Sequence, residues 1–319
     1  MGMLRRFAFP RPASRSGRIA ALASVLLVAA AACGGQAGGE GGAARPAASG
    51  PPATALVLPP GESSQPLARV AVIVLENHEI SQIVGNRCCP YLNSLASRGS
   101  LFTNYTAVSH PSLPNYLAMT SGGLQGKKGT DNTNPIVDAP NLFAQLSAAG
   151  AGWRAYEQTM PRACYRGAFA GTSPGYYALK HDPAMMFRSV ATTDLCRNVV
   201  PWSGVPNVPP RFSFIVPNEC ADMHSCSPAV ADAWLKQVVP RLLPRLGRNG
   251  RIVITWDEGT TNTGGGGRVA TFLIGPGVPV GRVSTRFTHY GLLAALEGVF
   301  HLQRLGYART ARPLPLFVP

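Results

Sequence analysis

The sequence is poor in charge, and especially in acidic residues, with 15 Asp and Glu against 29 Lys and Arg. It lacks a Lys/Arg block interleaved with aromatic residues, so a nucleic-acid partner is not expected. The formal net charge of +14 comes mainly from scattered arginines. A basic surface of this kind is compatible with an anionic substrate or an anionic cell envelope.

The sequence also lacks an apolar run long enough to span a membrane comfortably. Its main apolar run, IAALASVLLVAAAAC, follows five arginines and ends in small residues. This pattern predicts an export signal over residues 1–33. The end of the run resembles a bacterial lipoprotein signal, which implies that Cys33 carries lipid and attaches the protein to a membrane. Ordinary secretion after cleavage at an Ala-x-Ala site is the alternative.

Residues 34–66 contain mainly Gly, Ala, Pro and Ser and are nearly uncharged. A segment of this composition cannot bury a hydrophobic core, so we predict a disordered tether. From Arg69 the composition changes, and residues 67–319 are predicted to form a single domain.

Strands and helices alternate along this predicted domain. The run RVAVIVL, which begins at Arg69, is typical of a strand that is buried on both faces of a parallel sheet. Further strands are predicted at SLFTNYTAV, WRAYEQ, RFSFIVPN, RIVITW and VATFLIGPG. The irregular residues 158–210 are predicted to be an insertion over the site. The predicted fold is α/β, with a mostly parallel central sheet flanked by helices on both faces.

The cysteines favour disulfides over a metal cluster, because no C-x-x-C pair occurs. Apart from Cys33, six cysteines lie in the part predicted to be exported, and an even number there indicates disulfide bonds. We expect the pair Cys220–Cys226 first and the pair Cys164–Cys196 second. The adjacent cysteines at positions 88 and 89 are given no partner.

The stretch over residues 109–122, SHPSLPNYLAMTSG, is the most distinctive in the chain. Pro111 and Pro114 restrict the backbone, so Ser112 is predicted to lie in a stiff turn. A short helix follows, with Pro114 in its first turn and Gly122 beyond its end. Because a helix N-terminus favours an anion, Ser112 is a candidate nucleophile facing a phosphate. A proline-rich connector with Ser112 as the helix cap is the alternative.

Ligands in open α/β sheets bind beyond the carboxyl ends of the strands. Polar residues follow four of the predicted strands at this edge, and His289 lies at the start of the last helix. The residues after the strands are Glu76-Asn77-His78, Ser112, Asn218 with Asp222 and His224, and Asp257-Glu258. One such cluster is commonly a hydrophilic turn, but four at one edge indicate a functional site.

The residue types at this edge favour a divalent cation. The oxygen-bearing side chains, which Mg, Ca or Mn prefer as ligands, are Glu76, Asn77, Asp257 and Glu258. A metal on the Ser112 oxygen would lower its pKa and make it nucleophilic. His224 and His289 are candidates to hydrogen-bond phosphoryl oxygens or to protonate a leaving alcohol, although each histidine taken alone is more often structural.

Five stretches together resemble the bacterial and fungal phosphoesterase family of acid phosphatases and phosphatidylcholine-type phospholipases C, which is related in fold to alkaline phosphatases. They lie in the family's order over residues 69–300 and are VIVLENH, HPSLPNYLAMTSG, PNECADMHSC, ITWDEG and FTHYGLLAALE. The resemblance implies an alkaline-phosphatase-like core and a metal-dependent hydrolase of phosphate esters. It also implies a serine nucleophile and a phosphoserine that water later hydrolyses.

The resemblance places the family's site residues at positions of this sequence. It implies that Ser112 is the nucleophile and also touches the metal. The other implied metal ligands are Glu76, Asn77, Asp257 and Glu258. Asn115 falls on a recurrent position next to the nucleophile. His224 and His289 match active-site histidines, and Asp222 matches its motif without an assigned role.

The chain does not contain the extra C-terminal domains or the further histidine motif of the large phospholipases C. We therefore expect an acid-phosphatase-like phosphomonoesterase, with phospholipase C or another phosphodiesterase as the alternative. A more distant alternative is a metal-free serine carboxylesterase with Ser112, His289 and Asp257, although Ser112 does not lie in a G-x-S-x-G turn. A third is a non-catalytic lipoprotein that binds phosphate or an anionic glycan.

Overall fold

The computed structural model describes residues 69–317. The predicted signal segment 1–33, the predicted tether 34–66 and the predicted lipid site at Cys33 lie outside this range and stay predictions. Among the helices of residues 69–317, none has both the length and the hydrophobicity that crossing a bilayer requires.

A nine-stranded sheet organises residues 69–317, and a two-stranded hairpin lies apart from it. In chain order the strands are β1 Val70–Leu75, β2 Ser100–Thr106, β3 Trp153–Glu157, β4 Phe169–Ala170, β5 Tyr177–Ala178, β6 Val199–Pro201, β7 Phe212–Val216, β8 Arg251–Trp256, β9 Arg268–Ile274, β10 Gly281–Val283 and β11 Phe287–Thr288. The large sheet has the order β10-β2-β9-β8-β1-β7-β3-β6, with β11 also paired to β2. Strand β9 runs antiparallel to β2 and β8, and the other pairs of this sheet are parallel.

Eight α-helices connect the strands within the same residues. They are α1 Ile80–Ile83, α2 Pro90–Leu95, α3 Ser112–Ser121, α4 Leu142–Ala148, α5 Pro183–Met186, α6 Arg188–Ala191, α7 Pro228–Leu242 and α8 His289–Val299. Helix α3 packs on α4 and α8, whereas α2 packs on α7. Strands β1, β7 and β8 are buried along their whole length, as expected for apolar strands covered on both faces. The predicted fold class is confirmed.

Helix α3 begins at Ser112 itself, two residues before the predicted helical stretch, which starts at Pro114. Pro111 is the N-cap residue, and Pro114 is accommodated because the first amides of a helix have no intrahelical partner. Gly122 ends the helix with φ of 73°, a left-handed conformation that glycine adopts without strain. Ser112 therefore stands at the first position of the helix rather than before it.

Proline shapes α7 less than expected. Pro240 and Pro244 are expected to interrupt an α-helix, because proline lacks the backbone N–H that the helix interior needs. Helix α7 nevertheless continues through Pro240 to Leu242. A 3₁₀ turn over Leu243–Leu246 then contains Pro244. The helix thus bears one interior proline, and its buried face, which includes Leu235 and Val239, holds it in place by packing.

Three disulfides are present in residues 69–317. The two expected pairs, Cys220–Cys226 and Cys164–Cys196, are both confirmed. The adjacent Cys88 and Cys89 are bonded to each other, a pairing that the sequence left open. The Cys220–Cys226 bond closes the loop after β7, and this loop carries two residues of the candidate site, Asp222 and His224.

Candidate active site

The sheet brings the predicted polar clusters to one edge. Glu76 follows β1, and Asp257 follows the neighbouring strand β8. Residues 218–224 follow β7, which pairs with β1 on the other side. The backbone joins these segments directly, since the amide of Glu76 donates to the carbonyl of Asp222 at 2.8 Å. Ser112 enters from the end of β2 at the start of α3.

Ser112 is buried, and its hydroxyl points into this cluster. Its Oγ donates to Oε2 of Glu76 at 2.9 Å. The next amide, that of Leu113, donates to Oδ1 of Asp131 at 2.9 Å and fixes the first turn. The hydroxyl is thus held by the carboxylate of Glu76 at the N-terminus of a ten-residue helix, where the helix dipole favours negative charge.

Glu76 and Asp257 are fully buried carboxyl groups. The amide of Asn77 donates to Oδ1 of Asp257 at 3.2 Å, but Oδ2 of Asp257 has no hydrogen-bond partner among residues 69–317. Burial raises the pKa of Glu76 well above its ordinary value, and the charges of Asp257 and Asp222 raise it further. Burial also raises the pKa of Asp257 to about 6. A bound cation or an added proton would offset the repulsion between these buried negative charges.

Asn77 and Glu258 lie at the same edge with different partners. Asn77 has a φ of 56°, which asparagine tolerates better than most residues. In this conformation the backbone N–H of Asn77 points at Asp257. Oε2 of Glu258 lies 2.7 Å from Nδ1 of His110 and 3.4 Å from Nδ2 of Asn115. Burial, and then the charge of Asp257, raise the pKa of Glu258 to about 9. The structure therefore ties Glu258 to the loop that leads into α3.

Asn115 stabilises that loop through hydrogen bonds to its backbone. Its Oδ1 accepts from the amides of Val108 and Ser109 at 3.0 and 3.1 Å. Its Nδ2 donates to the carbonyl of Ser109 at 2.8 Å. Asn115 lies one helical turn beyond Ser112, so these bonds shape the backbone from which the serine projects.

His289 lies behind Asp257 at the start of α8 and is fully buried. Its Nε2 lies 2.5 Å from the carbonyl oxygen of Asp257, and its Nδ1 lies 3.1 Å from the hydroxyl of Tyr105. A carbonyl only accepts, so Nε2 carries the proton and Nδ1 accepts from Tyr105. Burial lowers the pKa of His289 to about 4. Both nitrogens are engaged by the protein, whereas the sequence predicts that His289 contacts phosphoryl oxygens or protonates the leaving alcohol.

The same contacts bear on the carboxylesterase alternative, which requires Ser112 and His289 to pair. Ser112 donates to Glu76, whereas His289 contacts Tyr105 and the main chain of Asp257. A G-x-S-x-G sequence does occur at residues 171–175, but it lies in the turn between β4 and β5. A nucleophile elbow joins a strand to a helix, so the geometry does not support that alternative.

His224 lies on the accessible side of the cluster, with 27% of its side chain exposed. Its Nδ1 is 2.7 Å from Oε2 of the buried Glu219, and its Nε2 is 3.4 Å from Nζ of Lys180. Because a lysine ammonium only donates, Nε2 accepts and Nδ1 carries the proton toward Glu219. Lys180 also pairs with Asp131 at 3.3 Å. These residues form a polar edge that a substrate can reach.

Sequence reasoning missed several members of the cluster. His181 ends a 3₁₀ turn in the irregular segment after β5, and its Nε2 lies 3.2 Å from Oε1 of Glu76. Tyr116 stacks on His181 and donates to the same Oε1 at 2.5 Å. A signal for Tyr116 was available, because positions four apart on a helix share a face with Ser112. The run Lys180-His181-Asp182 was the only local hint for His181.

Comparisons with known proteins place the chain in a family. A profile described as the Phosphoesterase family matches residues 84–303. A phosphatidylinositol-3-phosphatase of Mycobacterium tuberculosis is 35% identical over 257 residues, which cover 77% of this chain and 81% of that protein. A phosphate-repressible acid phosphatase of Penicillium chrysogenum is 31% identical, with 80% of this chain and 64% of that protein covered. The chain belongs to the phosphoesterase family and is a phosphoric ester hydrolase.

Solved structures share the fold at low sequence identity. The lipoteichoic acid synthase LtaP from Listeria monocytogenes matches with a TM-score of 0.52 and 10% identity, covering 75% of this chain and 74% of that chain. The crystal structure titled Ps i-CgsB matches with a TM-score of 0.51 and 13% identity, covering 78% of this chain and 75% of that chain. At such identities the likeness concerns the fold alone.

Proposed function

We propose that the chain hydrolyses phosphate monoesters through Ser112, which attacks phosphorus and forms a phosphoserine that water then hydrolyses. The observation that carries this proposal is the 2.9 Å hydrogen bond from the Ser112 hydroxyl to Glu76 in a buried, carboxylate-rich site. The names of the two relatives, an acid phosphatase and a phosphatidylinositol-3-phosphatase, support a monoester substrate.

The residues at this edge fit a divalent cation. Oδ2 of Asp257 is buried and unpartnered within residues 69–317, and its neighbours are carboxylate oxygens of the kind that hard cations prefer. The residues that would hold the ion are Glu76, Asn77, Ser112, Asp257 and Glu258. When bound, Mg, Ca or Mn would lower the pKa of the serine hydroxyl and neutralise phosphoryl oxygens.

Side chains of the protein itself accept and donate the protons of the reaction. The Ser112 hydroxyl donates to Oε2 of Glu76, so this carboxylate receives the proton as the serine oxygen attacks. His224 is our candidate to protonate the leaving alcohol, because it is partly exposed and Glu219 orients its ring. For this step Nε2 has to carry a proton and face the leaving oxygen instead of Lys180, and the neutral Nε2 that remains then takes a proton from the attacking water. The amides at the start of α3 favour the negative charge that develops beside them.

A panel of esters tests the substrate class. Phosphate release from an aryl phosphate monoester is expected to exceed release from the matching diester, both measured across pH with added Mg²⁺, Ca²⁺ or Mn²⁺. Equal or faster diester cleavage would instead favour a phosphodiesterase of the phospholipase C kind.

His289 is proposed to position Asp257. We expect His289→Ala to lower kcat about 10- to 100-fold, as for residues that orient a metal ligand, with KM nearly unchanged. Because the pKa of His289 is about 4, removing the ring takes away no titrating group at higher pH, and the pH profile above about pH 5 should keep its shape. His289→Gln, which can still donate to the carbonyl of Asp257, should recover part of kcat.

The control for this prediction is His301→Asn at an exposed histidine, where activity should be unchanged. Loss of the alkaline limb of the pH profile in His289→Ala would contradict a positioning role, because it would identify His289 as the proton donor itself.

Export is part of the proposal. The signal-like residues 1–33 support translocation, and their small residues before Cys33 support lipidation of that cysteine. Identification of the first residue of the mature protein tests this. Cleavage at a position other than before Cys33 would contradict lipidation while leaving export intact, and an uncleaved Met1 would contradict both.

A further inference from the structure

Asp131 holds two hydrogen-bond donors of the candidate site, although no step of the proposed function uses it. Its Oδ1 accepts from the amide of Leu113 at 2.9 Å, and its Oδ2 lies 3.3 Å from Nζ of Lys180. Leu113 directly follows Ser112 in α3, and Nζ of Lys180 is also 3.4 Å from Nε2 of His224. One carboxylate therefore bridges the start of α3 and the residues at the accessible edge of the site.

The two donors that Asp131 holds are of the kind that bind phosphoryl oxygens. The amide of Leu113 lies in the first turn of α3, where amides have no intrahelical partner and the helix dipole is positive. Burial by itself would lower the pKa of Lys180, but nearby carboxylates, Glu76 first, raise it, so the ammonium stays charged. A helix amide and a cation that converge on one anionic group recognise a phosphate as readily as a carboxylate.

Asp131 is carried by an irregular loop over residues 123–136 that follows α3. The base of the loop is braced, because Nζ of the buried Lys127 donates to the carbonyl of Asn134 at 3.1 Å. Its tip is loosely packed, since Gly129 has a φ of 77° and no atom of residues 69–317 outside its neighbours lies within 4 Å of a Cβ placed there. The carboxylate can therefore leave its two donors without unfolding the loop.

We propose that Asp131 occupies the place of a phosphoryl group in the free protein, and that the substrate displaces it and takes over the Leu113 amide and the Lys180 ammonium. The proposal rests on the proposed function for the identity of the ligand, a phosphate monoester. Because the carboxylate must leave before phosphate enters, Asp131 weakens the binding of substrate and of transition state alike. Asp131 is thus a built-in competitor, whereas Lys180 contacts the substrate.

Inorganic phosphate is the probe, added to the full chain with the divalent ion that best supports its activity. If the carboxylate holds the donors in about nine of ten molecules, Asp131→Ala should tighten phosphate binding about 10-fold. KM for an aryl phosphate should fall by a similar factor, with kcat changed by less than about 2-fold. The control Asp138→Asn, at an exposed carboxylate that pairs with Arg188 in the same connection between α3 and α4, should change neither constant.

A second substitution separates displacement from a simple loss of charge. Asp131→Asn should tighten phosphate binding only about 3-fold, because its amide oxygen still accepts from Leu113, although more weakly than a carboxylate does. Equal gains in the two variants would overturn the proposal, because removal of the charge alone would explain both. Weaker phosphate binding in Asp131→Ala, or a large fall in kcat, would also overturn it, since Asp131 would then support the site or its chemistry.

Lys180 and Leu113 are tested separately. Lys180→Met should weaken phosphate binding about 10-fold or more, as for loss of a charge-assisted contact, and unchanged binding would overturn Lys180 as a donor. In the unaltered chain, the NMR signal of the Leu113 amide should move when phosphate is added, and a signal that stays in place would overturn displacement. Calorimetry in a Ser112→Ala background measures the same phosphate affinities without turnover, so this proposal can fail while the assignment of the nucleophile stands, and the reverse.

Discussion

Ser112→Ala is expected to lower kcat/KM for an aryl phosphate monoester by about 1,000-fold or more, since removal of a nucleophile leaves only binding and electrostatic contributions. The physical reason is specific to the geometry, because Oγ is the atom that donates to Glu76 at 2.9 Å. Steady-state release of the chromogenic alcohol measures the effect. The residual rate should saturate at a similar substrate concentration, because Ser112 contributes more to the transition state than to substrate binding.

The matched control lies on the same helix. Ser121 is also buried near the end of α3, where its Oγ donates to the carbonyl of Leu117 at 2.7 Å, away from the carboxylates. Ser121→Ala makes the same chemical change and should keep full activity. If Ser112→Ala also kept full activity while remaining folded by circular dichroism, the assignment of the nucleophile would be wrong.

Removal of divalent ions by EDTA is expected to lower activity about 100- to 1,000-fold, because a bound cation supplies several kcal/mol of charge stabilisation. Activity should return when Mg²⁺, Ca²⁺ or Mn²⁺ is added to the unaltered chain. Asp257→Asn should not recover with any of these ions at ordinary concentrations. The substitution keeps the side chain's size and an acceptor for the amide of Asn77, but removes the charge of a fully buried carboxylate.

Glu297→Gln is the control for loss of a buried carboxyl group. Glu297 lies in α8, where its Oε1 accepts from the amide of Leu305 at 2.8 Å, and burial raises its pKa to about 7. This variant should respond to EDTA and to added ions as the unaltered chain does. Full activity after exhaustive chelation, with metal content confirmed to be negligible, would contradict cation-dependent catalysis and revive a metal-free mechanism.

The central sheet could be predicted from the sequence because the apolar pattern that identifies each strand is local. The apolar, β-branched run of β1 identifies a strand that is buried on both faces, and the structure buries all six of its residues. Once β1 and β8 are parallel neighbours, the residues after them, Glu76 and Asp257, must meet at one edge. The convergence of the acidic residues follows from strand direction alone.

The sequence predicts the position of a site residue better than the direction in which its side chain points. The sequence correctly places His289 at the start of α8. Which way the ring points depends on Tyr105, which lies 184 residues earlier on β2, and on the main chain of Asp257. No periodicity within α8 encodes those partners, so a buried supporting histidine and a substrate-facing one have the same local sequence pattern.

The missed residues come from segments without periodic structure. Lys180 and His181 follow the two-residue strand β5, and Glu219 lies directly before the loop closed by the Cys220–Cys226 disulfide. The path of such loops is set by long-range packing and crosslinks rather than by a repeat of apolar residues. Their contribution to the site follows from the three-dimensional structure, in which the carboxylates of Glu76 and Asp222 lie around them.

The stereochemical course at phosphorus tests the covalent mechanism most directly. A monoester made chiral with oxygen isotopes is cleaved by the unaltered chain in the presence of an acceptor alcohol, and the configuration of the transferred phosphoryl group is read. Two successive in-line displacements, the first by Ser112, predict overall retention. Inversion would mean that the acceptor attacks the substrate directly, and the proposed serine intermediate would be contradicted.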